Sequence, residues 1–405
     1  MGCDRFKVAI VPSCRMPNSS PVFSQVMSVL HPQAFTRCSA AHPLRRPPRG
    51  LSVYDHFLAL CFAHLTYRES LRGLEACLNA RPSLLYHLGF RGRVTRTNLA
   101  YANAHRSWRL FATVAQVLMR RAQRLYADDP QDPALPETAF ALDASMIHLS
   151  ARLFPWAEVG RRHATAIKLH TLLALRGPLP AWAAMTTGGF CDAKMLDHMP
   201  IEADSIYVLD RGYLNFVRLR RLVDHQAYFV VRSRRDLSFR VVRSTPVDKA
   251  LGLRCDQTIA LTHPDSRRAY RQLVRRVRIY DAEQQKSLTF LTNHFIMPAS
   301  AVAKLYRRRW QIELFFRWIK QHLCLRGFLG LSSNAVQCQL WSAICVYLMV
   351  AILKKELGLN QSLHEILQIL SIHPFEQTPI KELLMQIEPD KHNPNQQNLF
   401  DLNTL

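Results

Sequence analysis

Three acidic residues stand where an acid needs a reason. Asp143 falls inside an apolar run, Phe140-Ala-Leu-Asp-Ala-Ser-Met-Ile-His-Leu149, and Asp210 ends another, Tyr207-Val-Leu209, before Arg211-Gly212-Tyr213. A carboxylate in or at the end of a buried strand loses hydration and needs a compensating charge. Two of them on one sheet would form a site for a hard divalent cation, usually Mg²⁺. Taken singly, a strand-end Asp is more often a turn or helix cap. The third acid, Glu313, is alone among seven basic residues between Lys304 and Arg326. On one continuous helix from Ser300 to Leu323, Tyr306, Arg309, Glu313 and Lys320 share an arc of roughly 60°. Leu305, Ile312, Phe316, Ile319 and Leu323 form the apolar stripe beside it. Three carboxylates with Arg and Lys around them suit phosphoryl transfer with two metal ions about 3.5–4 Å apart. The cationic side chains would hold the phosphodiester, and Tyr306 would bond a phosphate oxygen or stack on a base.

The spacing Tyr306-x2-Arg309-x3-Glu313-x6-Lys320 resembles the Tyr-Arg-Glu-Lys signature of bacterial insertion-sequence transposases of the IS-four family. Asp210-Arg-Gly212-Tyr213 is similar to that family's second-aspartate motif, and Leu142-Asp143-Ala-Ser to its first-aspartate strand. The intervals, 67 residues from Asp143 to Asp210 and 103 from Asp210 to Glu313, also suit it. The resemblance implies a ribonuclease-H-like domain with Asp143, Asp210 and Glu313 as catalytic, metal-binding residues. It implies two Mg²⁺ ions, with Mn²⁺ as a substitute. It also implies cleavage of double-stranded DNA at the element's ends and attack of the freed 3′-OH on target DNA, by a homodimer or higher oligomer. Some relatives cut through a DNA hairpin with the help of a Trp in the β-rich insertion. Here none of the six Trp residues lies within 233–290. Trp310, Tyr270 or Tyr280 is then left as the base-stacking candidate.

The elements that must position these residues follow from the patterning. Residues 53–126 read as short helices, with stripes at Phe57, Leu60 and Cys61, at Leu71, Leu74 and Leu78, and from Leu110 to Leu125. Arg91-Gly92-Arg93-Val94-Thr95-Arg96 is a turn into a helix capped by Thr95 or Thr97. Arg93 and Arg96 there are candidate DNA contacts of a helix-turn-helix. After the Pro-bearing segment 128–133, strands are expected at 140–149, 166–175, 181–187, 205–209, 227–231 and 288–292, with a helix before the strand at 227. That order belongs to an α/β domain with a mixed sheet. The division expected is an extension at 1–16, a helical DNA-end-binding domain at 17–127 and a catalytic domain at 135–330 with its insertion near 233–290. C-terminal helices at 331–372, including one at 334–357, and a frayed tail at 373–405 complete it. Met16 would then be the functional start.

The chain of 405 residues carries 53 Lys and Arg against 30 Asp and Glu, a net charge of +23. On a chain that is 48% apolar, and so able to form a core, this surplus argues for a nucleic-acid partner. In the insertion, Arg267, Arg268, Arg271, Arg275, Arg276 and Arg278 are candidates for tracking phosphates. Lys168 and His170 are rim candidates beside the Asp143 strand, while Asp192, Asp197 and Asp204 read as caps or solvated acids. Ten cysteines without a Cys-x-x-Cys pair read as reduced thiols. Leu340–Leu353 is too short an apolar run to span a bilayer, and no secretory signal opens the chain. The expected setting is a bacterial cytoplasm, at the nucleoid and away from any membrane. The rival functions are a stand-alone nuclease on the same fold and an inactive, DNA-binding transposase remnant.

Overall fold

The computed structural model describes residues 20–385 apart from 45, 49, 128–137, 160–163, 282–284 and 323–326. The extension at 1–16 with Met16, the 128–133 segment, Leu323 and the last twenty residues of the expected tail lie outside the described residues.

Polar caps and apolar stripes set the N-terminal helices: α1 (Val22–Met27), α2 (Pro32–Ala40), α3 (Val53–Leu65), α4 (Leu71–Asn79), α5 (Pro82–Leu85), α6 (Arg96–His105) and α7 (Arg109–Leu125). Ser52 and Asp55 close a reciprocal capping box on α3, and the Thr95 side chain caps α6 through Asn98 N–H. Six strands follow: β1 (Ala139–His148), β2 (Glu158–Val159), β3 (Ala164–Ala174), β4 (Leu179–Thr187), β5 (Ile206–Leu209) and β6 (Tyr228–Arg232). β3 runs antiparallel between β1 and β4, whereas β1, β5 and β6 are mutually parallel in that spatial order. Helix α8 (Phe216–Asp224) makes the crossover from β5 to β6. This is the ribonuclease-H-like mixed sheet.

The insertion does not leave the sheet. Its elements are β7 (Phe239–Thr245), β8 (Leu253–Leu261), α9 (Pro264–Ala269) and β9 (Val274–Asp281), and β10 (Lys286–Thr292) then pairs with both β9 and β6. One sheet of ten strands results, in the order β2-β3-β1-β5-β6-β10-β9-β8-β7, with β4 beyond β3. One face, with Phe140, Leu142, Tyr207, Leu209 and Phe229, packs on α8 and Tyr270. The other, with Ala141, Leu169, Val208, Val230 and Phe290, is covered by the remaining helices: α10 (Ala299–Arg308), α11 (Trp310–His322) and α12 (Ser333–Leu357), with α13 (Leu363–Ile372) and α14 (Ile380–Met385) beyond.

α12 corrects the expectation that its apolar stretch is too short for a membrane. It has 25 residues and is long and apolar enough by composition, but 94% of its most apolar window is buried within the protein. Ser332 caps its start, and Gly358, at φ 65°, ends it in the left-handed conformation that suits glycine. It binds the N-terminal helices to the sheet domain. His64 Nε2 meets Gln339 O at 3.0 Å, Tyr126 OH donates to Ala351 O, and Trp108 stacks on Trp341. The buried core is continuous from Val22 to Leu384. The tail expected to fray from 373 is instead docked as far as 385. Val22 N–H and Phe23 N–H donate to Glu376 O and Pro374 O, and Ile380, Leu383 and Leu384 are buried. Among the described residues the seven cysteines are free thiols.

Candidate active site

Parallel pairing brings the two aspartates together. Leu142 on β1 is aligned with Leu209 on β5, so Asp143, midway along β1, and Asp210, just past the end of β5, follow as the next pair. Neighbouring strands lie about 4.8 Å apart. Asp210 is where β5 stops, and Tyr213 N–H donates back to Asp210 O in a single tight turn. Glu313 lies in the first turn of α11, which packs over β1.

The helix predicted from Ser300 is two helices that meet at Arg309. Its backbone stays right-handed, but the hydrogen bonds tighten: Arg309 N–H donates to Tyr306 O and Ile312 N–H to Arg309 O, each a three-residue step. The side chains on either side of this joint bind the acids. Tyr306 OH donates to Asp210 Oδ1 at 2.9 Å. Arg309 Nη1 donates to Asp143 Oδ2 at 2.9 Å and Nη2 to Glu313 Oε1 at 2.6 Å. The Tyr306 ring packs on Phe290, with the guanidinium 5.6 Å from its centroid.

The electrostatics follow from burial. Asp143, its side chain 23% exposed, is pushed up to about 6. Burial is the main cause; Arg309 and the Ala144 N–H oppose it, and Glu313 and Asp210 add to it. Burial raises Tyr306 to about 12, with the neighbouring Asp210 carboxylate acting the same way. Burial disfavours the Arg309 charge, but Tyr306, Asp143 and Glu313 outweigh it and hold the guanidinium above its ordinary value.

Three hard oxygen donors on one rim fit a divalent cation in chemistry. Their present geometry is set by Arg309. The guanidinium lies between Asp143 and Glu313, and among the described residues no three acidic, His or Cys side chains converge on one point as a metal site. Arg309 occupies one oxygen of each of these two acids, Asp143 Oδ2 and Glu313 Oε1.

The other candidates separate by burial and partner. Lys320 is exposed on α11, and partial burial of its ammonium lowers its pKa. Trp310, 44% exposed, begins α11 beside the acids. Tyr270 is 1% exposed in the core under α8 and cannot stack on a base, whereas Tyr280 lies under Arg254 and donates to Gln285. Arg267, Arg268 and Arg271 are exposed on and after α9, and Arg93 and Arg96 are exposed at the start of α6. Arg275 corrects the expectation of a phosphate contact. It is 7% exposed, paired through Nε and Nη2 with both oxygens of Asp256, and bonded to the carbonyls of His294, Phe295 and Met297. Arg276 and Arg278 line a cleft. Lys168 and His170 face away from Asp143, because Asp143 is paired with Thr171 and they alternate with it. Lys168 is neutralised by Asp192 at 2.8 Å, and buried His170 bonds Thr186. Asp197 pairs with Arg218, and Asp204 sits at a turn with φ 58°. Arg232 was not singled out from the sequence. It follows Val231, the β6 partner of Leu209, and its charge acts on Tyr306. Its only signal was the run Arg232-Ser-Arg-Arg235 at the end of a strand.

Comparison with known proteins places the chain within one family. Residues 135–349, more than half of the chain, match the transposase DDE domain family, and residues 18–91 match a domain of unknown function, DUF4372. The chain is 31% identical over 258 residues to a Sinorhizobium fredii protein named as a transposase, y4zB, covering 63% of this chain and 70% of that one. It is 28% identical over 217 residues, 53% of this chain and 56% of the other, to a Geobacillus stearothermophilus protein named as a transposase for insertion sequence element IS5377. A Synechocystis protein named for element IS4SA is 24% identical over 226 residues, 54% of this chain and 62% of that protein. With its mixed sheet and the acids gathered where β5 ends beside β1, the chain belongs to the DDE transposase family of insertion sequences.

Proposed function

We propose that the chain binds the ends of its insertion sequence, cleaves the DNA there with divalent metal, and joins the freed 3′-OH ends to target DNA. The observation that carries this reading is the junction of Asp143, Asp210 and Glu313 through Tyr306 and Arg309 where β5 ends beside β1. When bound, two Mg²⁺ ions would activate the attacking oxygen and stabilise the leaving one. The protein's own part is positional. Tyr306 fixes the rotamer of Asp210, and Arg309 keeps Asp143 and Glu313 together until its charge is needed elsewhere. Lys320, on the exposed face of α11, holds a phosphate, and Trp310 offers a stacking surface for a base. Arg93 and Arg96 at α6, with Arg267, Arg268, Arg271 and Arg276 in the insertion, contact the DNA backbone. The net charge of +23 supports double-stranded DNA as the partner, and pairing two ends calls for a homodimer or higher oligomer at the nucleoid.

Asp143→Asn, Asp210→Asn and Glu313→Gln each remove charge with little change of shape. Each is expected to lower Mg²⁺-dependent nicking of an end duplex by at least about 10²-fold while leaving gel-shift affinity within a few fold. Wild-type nicking by any of the three would remove that residue from the catalytic set.

A further inference from the structure

Leu209 and Val231 are aligned on parallel strands, so the chain leaves β5 and β6 side by side at Asp210 and Arg232. The carboxyl ends of such strands are where ligands of α/β sheets bind. Here they open into a cleft of about 1000 Å³. Arg211, Arg232, Arg234 and Arg235 line it from this edge, and Arg276, Arg278 and Lys286 face them from β9 and β10. Among the described residues Asp236 is the one acid in the lining. None of the seven cations makes an ion pair among the described residues, although Arg276 bonds Gln257 Oε1 at 2.7 Å. Arg275, one residue from Arg276 but on the opposite side of β9, is fully engaged by Asp256. The fold thus neutralises an insertion arginine where it is buried and leaves the charge in the cleft open.

Two further features fit the cleft to a nucleic acid. Phe239 stands in its wall with the Arg276 guanidinium 4.9 Å from the ring centroid, an aromatic face among cations of the kind on which bases stack. Gly212, also in the wall, has no positive φ, and a Cβ at that position would meet nothing within 4 Å, so packing does not demand glycine there. A bare backbone at that point lets a ligand approach. The cleft suits a short stretch of one strand.

We propose that this cleft binds single-stranded DNA that passes the ends of β5 and β6, with phosphates on the two arginine rows and a base against Phe239. The inference rests on the reading of the chain as a DNA-cleaving enzyme and extends it to an unpaired strand.

The test is fluorescence anisotropy of the full chain with a blunt duplex and with the same duplex carrying an oligothymidine extension. Wild type should bind the extended DNA about tenfold more tightly, a gain of the size expected from stacking one base. The triple variant Arg234→Gln/Arg235→Gln/Arg278→Gln should lose that preference and keep its affinity for the blunt duplex. Its salt slope on extended DNA should fall by about 2, as expected for three lost single-strand phosphate contacts. Phe239→Ala should lose the preference without changing the salt slope. No extension preference in wild type, an unchanged slope in the triple variant, or an equal loss on both DNAs would each overturn the proposal. Wild-type nicking of the blunt duplex is scored in parallel. Nicking without an extension preference defeats the cleft alone, whereas an extension preference without nicking counts against the cleavage reading.

Discussion

Arg309 is 14% exposed and shared by Asp143 and Glu313, so its removal leaves two acids facing each other. Breaking a buried pair from one side costs about 3–5 kcal/mol. Glu313 is 32% exposed, and solvent screening brings the expectation down to about 1–3 kcal/mol. Arg309→Gln should therefore melt earlier than wild type in a chelator, and Mg²⁺ should raise its Tm by more than it raises wild type's. Thermal melts with EDTA and with Mg²⁺ decide it; a variant as stable as wild type in EDTA would show that the guanidinium does not hold the site together. Lys320 makes the contrasting case, a cation on α11 with none of these acids as partner. If it clamps a phosphate, Lys320→Ala should slow single-turnover cleavage on the order of 10²-fold, and added Mg²⁺ should not restore the rate. Arg should substitute poorly, since its planar fork presents charge differently from a compact ammonium. A silent Ala variant would return Lys320 to the role of a solvated surface residue.

Between elements, the coupling of α3, α6 and α7 depends on a neutral histidine. His56 is fully buried, bonds Asn103 at 2.7 Å and lies edge-on to Phe111. Burial drives its pKa down to about 3. Between pH 3 and about 6.5 the unfolded chain binds this proton and the folded chain does not, so stability falls on acidification by about 1.4 kcal/mol per unit. His170, lowered to about 4 by burial, acts in the same direction. Asp143, raised to about 6, acts oppositely from about pH 3.9 upward, because its folded form retains a proton that the unfolded chain has released. The difference between variants therefore carries the test. His56→Gln should flatten the fall in denaturant-derived stability between pH 6.5 and 5 by about 1.4 kcal/mol per unit, and a slope equal to wild type's would refute a neutral buried His56. Elements defined by local patterning were legible: β1 is a largely apolar run and β5 a continuous one, and Thr95 is a recognisable cap. What depended on pairing was not. The face taken by Lys168 is set by the register of β3 on β1, and the fate of Arg275 by an aspartate nineteen residues earlier on the adjoining strand. The joint at Arg309 was hidden because a brief change from four-residue to three-residue bonding barely alters apolar periodicity. The positions of Asp143, Asp210 and Glu313 could be read because their costs are local, whereas Arg309's place between two acids required the fold.

At the scale of the whole molecule, the helices expected as a domain at 17–127 share a core with the helices that cover the sheet. The faces of α3 and α7 that carry Phe57, Leu60, Phe111 and Leu118 share one core with α12, whose Leu340, Ile344, Leu348 and Ile352 are buried. Each fully buried Leu, Ile or Phe contributes about 1.5–3 kcal/mol. Uncovering even a few of them removes as much as the whole stability of a typical domain, about 5–15 kcal/mol. Polar contacts follow the same path: His64 to Gln339, Asn103 Nδ2 to Leu329 O, and Asn334 Nδ2 to both Asn103 O and Arg106 O. The far end is tied down too, with Gln25 donating to Thr378 O and accepting from Ile380 N–H. A fragment spanning 17–127 should therefore show no cooperative thermal transition and should bind a hydrophobic dye, whereas the full chain should melt in a single step. Circular dichroism with calorimetry on both proteins provides the check. A fragment that melts cooperatively with native-like helicity would establish the N-terminal helices as an independent domain, and α12 would then be a strap across two folded units rather than the shared core of one.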